Sequence, residues 1–212
     1  MKKILVGIAA CIPIAMGIGF INIHFLLESK ILIIFLIGII ASYYQAEYNP
    51  LKIDNNGVDK GTVLQIIWTV YITQMLALLE LVFKNSDQAF AYDPGSIIFL
   101  SIALGGLYLR SWAYVTLGKF FTMHLETKDD QVLIETGPYR YLRHPSYTGA
   151  FLTYTFIPLF LGSYRAAIVS VVLLLFAFHR RITHEEKMLD AHMGEKYRAF
   201  CLKKARLLPF IW

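Results

Sequence analysis

GPYRYLRHPSYTG, residues 137–149, runs directly into the apolar AFLTYTFIPLFL, residues 150–161. A loop that places two Arg and one His at the mouth of an apolar segment is costly unless those groups have partners. The stretch therefore reads as half of a binding site. The other half is expected in RRITHEE, residues 180–186, at the end of the next apolar segment.

The rest of the chain says what surrounds this pair. Of 212 residues, 57% are hydrophobic and 17% charged, with a mean hydropathy of +0.53, whereas a water-soluble domain is roughly 45–50% apolar. The apolar residues fall in long blocks, and a block of ~20 is what a helix needs to cross the hydrocarbon core. The expectation is an all-α integral membrane protein, a bundle of about six transmembrane helices whose last two form a helical hairpin. Residues 1–212 are read as one membrane domain, with four helices in 1–118 and the functional core in 119–212. The net charge of +5 and pI near 9.1 sit beside the ends of the apolar blocks rather than in one stripe. That pattern is orientation by the positive-inside rule, not a nucleic-acid surface.

Taken in order, residues 4–27 follow Lys2 and Lys3 as a first span, and residues 31–48 form a second, closed by Asn49-Pro50. The start MKKILVGIAAC has the look of a bacterial lipoprotein signal, but its apolar run continues past Cys11 to Leu27, as a spanning helix does. Cys11 and Cys201 have no metal or disulfide spacing and are read as incidental, and no metal site is expected. A polar loop with Asp59 and Lys60 precedes a third span, residues 62–83, in which Glu80 lies near enough to the end to reach the interface. Asp93-Pro94 is an N-cap acid followed by Pro at the first helical position and opens a fourth span to about residue 117. Arg110 within it is expected to snorkel toward the nearby end. Residues 119–145 are too long for a connector and too apolar for disorder. A short fifth run, residues 147–161, and a sixth from residue 164 then place the basic residues on one side, with both termini cytoplasmic in a bacterial inner membrane.

Within the two constellations, Arg181 and Glu185 are four apart and share a helix face, whereas Glu186 is expected to point elsewhere. His144 before Pro145 is held extended, Ser146 is expected to cap the fifth helix, and the free N–H groups there suit an anion. Tyr139, Tyr141 and Tyr147 also fit an interfacial aromatic belt.

The stretch 137–149, followed by RITHEEKMLDAHMGEKY and the closing RLLPFIW, resembles the isoprenylcysteine carboxyl methyltransferases. The likeness covers roughly residues 105–212. It implies S-adenosyl-L-methionine as cofactor, bound on the cytoplasmic side through His124, Gln131, Val132, Leu133, Ile134, Tyr139, His144, Pro145, Ser146, Tyr147 and Glu185. It also implies a lipophilic or lipidated substrate held by Arg181, so that Arg181 and Glu185 are the expected catalytic pair. His124 departs from the pattern, since better-known members carry an amide there. A carboxylate acceptor is already a nucleophile and needs no base, whereas an amine or thiol acceptor would need Glu186, His184 or His124 in that role. Phospholipid N-methyltransferases and NADPH-binding sterol reductases share this region, and a non-enzymatic membrane protein is the remaining alternative.

Overall fold

Asp93 and Pro94 start a helix as their sequence dictates. The Asp93 carboxylate accepts the Ser96 N–H at 3.0 Å while the Ser96 hydroxyl accepts the Asp93 N–H at 3.1 Å, a reciprocal cap that satisfies two otherwise orphaned donors. In the computed structural model, which describes residues 27–44, 59–84, 91–123, 125 and 131–207, this is the third of six helices. They are α1 (Ser29–Tyr43), α2 (Thr62–Lys84), α3 (Pro94–Leu117), α4 (Pro145–Phe160), α5 (Tyr164–Met193) and α6 (Glu195–Lys203). Short 3-10 turns occupy Gly118–Phe120 and Gly137–Arg140. Among the described residues no strand forms; an isolated parallel bridge joins Leu142 to Ala205.

Three of these helices are long and apolar enough to cross a membrane: α2, α3 with the turn after it, and α5. The 15 residues of α1 and the 16 of α4 are apolar but fall short of the ~20 a full crossing takes. The expected first span lies outside the described residues except for Leu27, as do residues 45–50 at the end of the second. The outward faces carry large apolar side chains, among them Leu36, Trp68, Phe83, Tyr108, Ile168 and Phe176, which is the surface that hydrocarbon rather than water favours.

Packing is closest between α3 and α4, where Gly106 and Gly149 meet. A Cβ on Gly149 would sit 2.5 Å from the Gly106 carbonyl oxygen and 2.6 Å from the Arg110 nitrogen, so only glycine lets the two backbones approach. A few residues further along, the Thr153 hydroxyl donates to the Ala103 carbonyl at 3.1 Å. Elsewhere α1 packs against α2 and the α4–α5 turn through Ile31, Ala77, Leu78, Leu81, Leu161 and Ala166.

In such a bundle every freed backbone group needs a protein partner. Pro158 in α4 has no N–H for the Tyr154 carbonyl. Gln74 of α2 and Ser170 of α5 donate to that oxygen instead, at 3.1 and 3.0 Å. Glu80, near the end of α2, caps α5: its carboxylate accepts the Arg165 and Ala166 N–H groups at 3.3 and 2.8 Å. These contacts predict a contrast within one helix pair. Gly149→Val should destabilise the bundle by at least ~2 kcal/mol through backbone overpacking, whereas Gly105→Ala, whose Cβ would meet nothing within 4 Å, should leave it unchanged or firmer. Melting of the two detergent-solubilised variants reads the difference.

Candidate functional site

The turn of residues 161–163 folds α5 back along α4, so the residues that begin α4 lie beside the second half of α5. Arg181 and Glu185, one helical turn apart, both face that start. The Tyr147 hydroxyl joins them, accepting from Arg181 Nε at 3.1 Å and donating to Glu185 Oε2 at 2.8 Å. Arg181 is 4% exposed and makes three further bonds. Nη1 reaches Asp59 Oδ1 at 2.5 Å and Thr62 Oγ1 at 2.9 Å, and Nη2 reaches the Met123 carbonyl at 2.7 Å. The guanidinium is therefore a cation with a resident counter-ion.

Glu186 points away from the face that Arg181 and Glu185 share, as expected, and is firmly paired there. Its Oε1 lies 3.1 Å from His144 Nε2 and 2.8 Å from Arg143 Nη1, and its Oε2 accepts from Arg206 Nε at 3.0 Å and from Arg206 Nη2. The His144 ring sits between the two acids, with Nδ1 3.8 Å from Glu185. That position lets two consecutive helical residues touch one partner from different sides. The pairing with Glu186 raises the pKa of Arg206 and keeps it charged.

The chain after α6 closes the stretch from the other side. Arg143 and His144 donate their N–H groups to the carbonyls of Ala205 and Arg206 at 2.8 and 3.2 Å, and the Thr148 hydroxyl donates to that of Leu207 at 2.7 Å. Lys204 bonds Glu135 Oε2 at 2.8 Å and the Tyr139 carbonyl at 3.0 Å. Residues 204–207 thus strap the loop to the bundle. Two expectations about α4 change as well. The helix begins at Pro145 with His144 as its cap and no capping side chain, because Ser146 already lies inside the first turn. Its hydroxyl and carbonyl instead accept from Arg110 Nη1 at 3.1 and 3.4 Å. Arg110 therefore does not snorkel outward; it docks on the start of α4, and its Nε is buried without a partner.

All of this surrounds a cavity of about 870 Å³. Gln131, Val132, Leu133, Ile134, Tyr139, His144, Ser146, Tyr147, Arg181 and Glu185 line it; Pro145 is buried behind the wall, and His124 lies outside the described residues. Arg110, Met188, Leu189 and Tyr197 also line the wall, and Asp59 and Thr62, which sequence reasoning did not include, stand behind Arg181. The first four lie on the faces of α3, α5 and α6 that the fold turns inward. Burial, with the negative charge of Glu185 nearby, pushes the Tyr139 phenol far above its usual range, so it stays a neutral donor and aromatic wall. From this polar end the cavity continues between helices past Ile66, Val70, Ile34 and Phe35. No group of three or more metal-ligating side chains occurs among the described residues.

This donor set fits the expected cofactor: an acid for an ammonium, aromatic faces for a sulfonium, and apolar side chains for a purine. Comparison with known proteins points the same way. Residues 97–191 match the model of the Isoprenylcysteine carboxyl methyltransferase (ICMT) family. A protein named Protein-S-isoprenylcysteine O-methyltransferase from Schizosaccharomyces pombe is 33% identical over 122 residues, covering 57% of this chain and 50% of that one. Its counterpart from Saccharomyces cerevisiae is 28% identical over 177 residues, covering 80% and 73%. The chain thus spans half the length of the fission-yeast relative. A solved structure of the eukaryotic intramembrane Ras methyltransferase ICMT shares the fold, with a TM-score of 0.53 at 19% identity, covering 98% of this chain and 86% of that one. These relatives are eukaryotic and lend no support to the bacterial inner membrane expected from the N-terminus.

The strap makes a prediction of its own. Glu186→Ala would leave Arg143, His144 and Arg206 without their shared acid, and removing one partner of such a buried cluster costs ~3 kcal/mol or more. Hydrogen exchange should then accelerate at the Arg143 and His144 amides, which the strap protects, while amides in the middle of α2 keep their rates. Equal protection in both variants would show that Glu186 does not hold the strap.

Proposed function

We propose that this chain, whose residues 97–191 match the isoprenylcysteine carboxyl methyltransferase family model, is a member of that family and transfers a methyl group from S-adenosyl-L-methionine to the carboxylate of a lipophilic acceptor. The acceptor is an isoprenylcysteine of a lipidated protein or a small acid of the same character. One observation carries the reading. A single cavity joins a polar end, where Arg181, Tyr147, Glu185 and His144 converge, to an apolar passage between membrane helices. A substrate with a carboxylate head and a hydrocarbon tail matches both ends.

When bound, the cofactor supplies an electrophilic methyl group on a sulfonium. Glu185 and His144 are placed to take its ammonium, Tyr139 and Tyr147 to face the sulfonium, and residues 131–134 to cover the remainder. Arg181 orients the acceptor carboxylate. An anionic carboxylate needs no proton removed, so the residues have only to position, desolvate and exclude water. The basic groups around this end, Lys60, Lys119, Arg143 and Arg180 among them, make it the cytoplasmic face on the positive-inside rule.

A carboxylate acceptor suits this wall without a base. Neither Glu186 nor His184 lines the cavity, and Glu186 is committed to Arg143, His144 and Arg206; His124 lies outside the described residues. An acceptor that arrives ionised needs none of the three.

Two measurements on the detergent-solubilised protein test the reading. Calorimetry should detect S-adenosyl-L-methionine and not NADPH; the opposite result would remove methyl transfer from consideration. Labelled methyl should then pass to an S-prenylated N-acetylcysteine, and Arg181→Lys, which loses the planar fork, should cut kcat/KM for that acid by about 100-fold with cofactor binding retained. Full activity in Arg181→Lys would exclude a carboxylate role for Arg181.

A further inference from the structure

Arg181 has two sides. Its Nη1 is held by the Asp59 carboxylate at 2.5 Å and the Thr62 hydroxyl at 2.9 Å, and neither of those residues lines the cavity that Arg181 itself lines. Its Nε meets only a neutral group on the cavity side, the Tyr147 hydroxyl, and that hydroxyl has Glu185 as a second partner. Nη2 is engaged by the Met123 carbonyl. One side of the guanidinium is thus anchored to an anion behind the wall, and the other bears a contact that an incoming carboxylate can replace.

We infer that Asp59 is the positioning residue of the acceptor site: it holds Arg181 from behind so that the Nε–Nη2 edge faces the cavity as the carboxylate-recognition edge. The inference rests on the methyl-acceptor reading above and adds a residue to it. Physical necessity supports the assignment. A guanidinium this buried must keep a counter-ion when no acceptor is bound, since an unpaired buried charge is strongly destabilising. Were that counter-ion in the cavity, the acceptor would have to displace it; behind the wall, it neutralises and orients without competing. Two parallel N–H···O bonds need a guanidinium fixed in plane, and the anchored Nη1 fixes it. Asp59 stands 122 residues from Arg181 along the chain and outside the stretch, residues 97–191, that matches the family model.

The test compares an acid with its neutral analogue. In the full-length protein, Asp59→Asn should raise KM for an S-prenylated N-acetylcysteine about tenfold, the scale of one weakened charge-assisted bond, with kcat little changed. Affinity for the primary amide of the same compound and for S-adenosyl-L-methionine should stay at the wild-type value. A purely structural Asp59 would move acid and amide together or move neither, and either result overturns the inference. If Asp59→Asn fails to fold, Thr62→Val, which removes the hydroxyl linking Asp59 to Arg181, should show the same acid-selective loss on a smaller scale, and equal losses would again overturn it. Wild-type protein that binds neither acid nor amide would defeat the acceptor reading itself, whereas normal acid binding unaffected by either substitution defeats only the role of Asp59.

Discussion

A guanidinium buried at the polar end of an apolar bundle must have its charge balanced by protein, and the arrangement around Arg181 follows from that constraint. Asp59 from the loop before α2 neutralises it, the Tyr147 hydroxyl links it to Glu185, His144 lies between Glu185 and Glu186, and Glu186 gathers Arg143 and Arg206. Each of the three arginines in this chain of contacts reaches an acid directly. The pairing offsets burial costs that would otherwise be several kcal/mol, and the members come from four segments: the loop before α2, the start of α4, α5 and the residues after α6. The site is therefore assembled only when α2, α4, α5 and the residues after α6 are all in place, which couples the chemistry to the fold.

The same scarcity of water explains the polar residues deep in the helices. Gln74, Ser170 and Glu80 would look like functional groups in a span, but they serve backbone atoms that Pro158 and the start of α5 leave open. The Gly106–Gly149 contact belongs to this economy too. It brings the start of α4 close enough to α3 for Arg110 to reach Ser146, so a small-residue packing contact sets the position of the stretch that holds His144 and Tyr147.

Much of this was legible in the order of residues. Apolar blocks located α2, α3 and α5, Asp93-Pro94 located a helix start, and the spacing of Arg181 and Glu185 placed both on one face toward residues 137–149. What was not legible depended on distance along the chain or on the exact start of a helix. Nothing in residues 49–62 marks Asp59 as the partner of a cation 122 residues away. Glu186 was expected on a different face from Arg181 and Glu185, and it is; what helical phase alone does not reveal is the flat His144 ring that both acids flank and the basic groups gathered around Glu186. Ser146 was read as a cap because Pro145 was counted outside the helix; the helix starts two residues earlier, and the Ser146 hydroxyl accepts from Arg110 instead.

Glu185 and Glu186 show how one helical step divides two tasks. A rotation of ~100° separates them; it leaves Glu185 on the cavity wall with a hydroxyl as its near partner and puts Glu186 behind the wall among three basic side chains. An acid saturated with cations is a poor proton acceptor and a good anchor, whereas an acid bonded to a neutral hydroxyl can still exchange that bond for a cationic ligand. The pair therefore suits a site in which one carboxylate fixes the scaffold and the other receives positive charge. That is the division a carboxylate acceptor requires, because its nucleophile arrives already ionised.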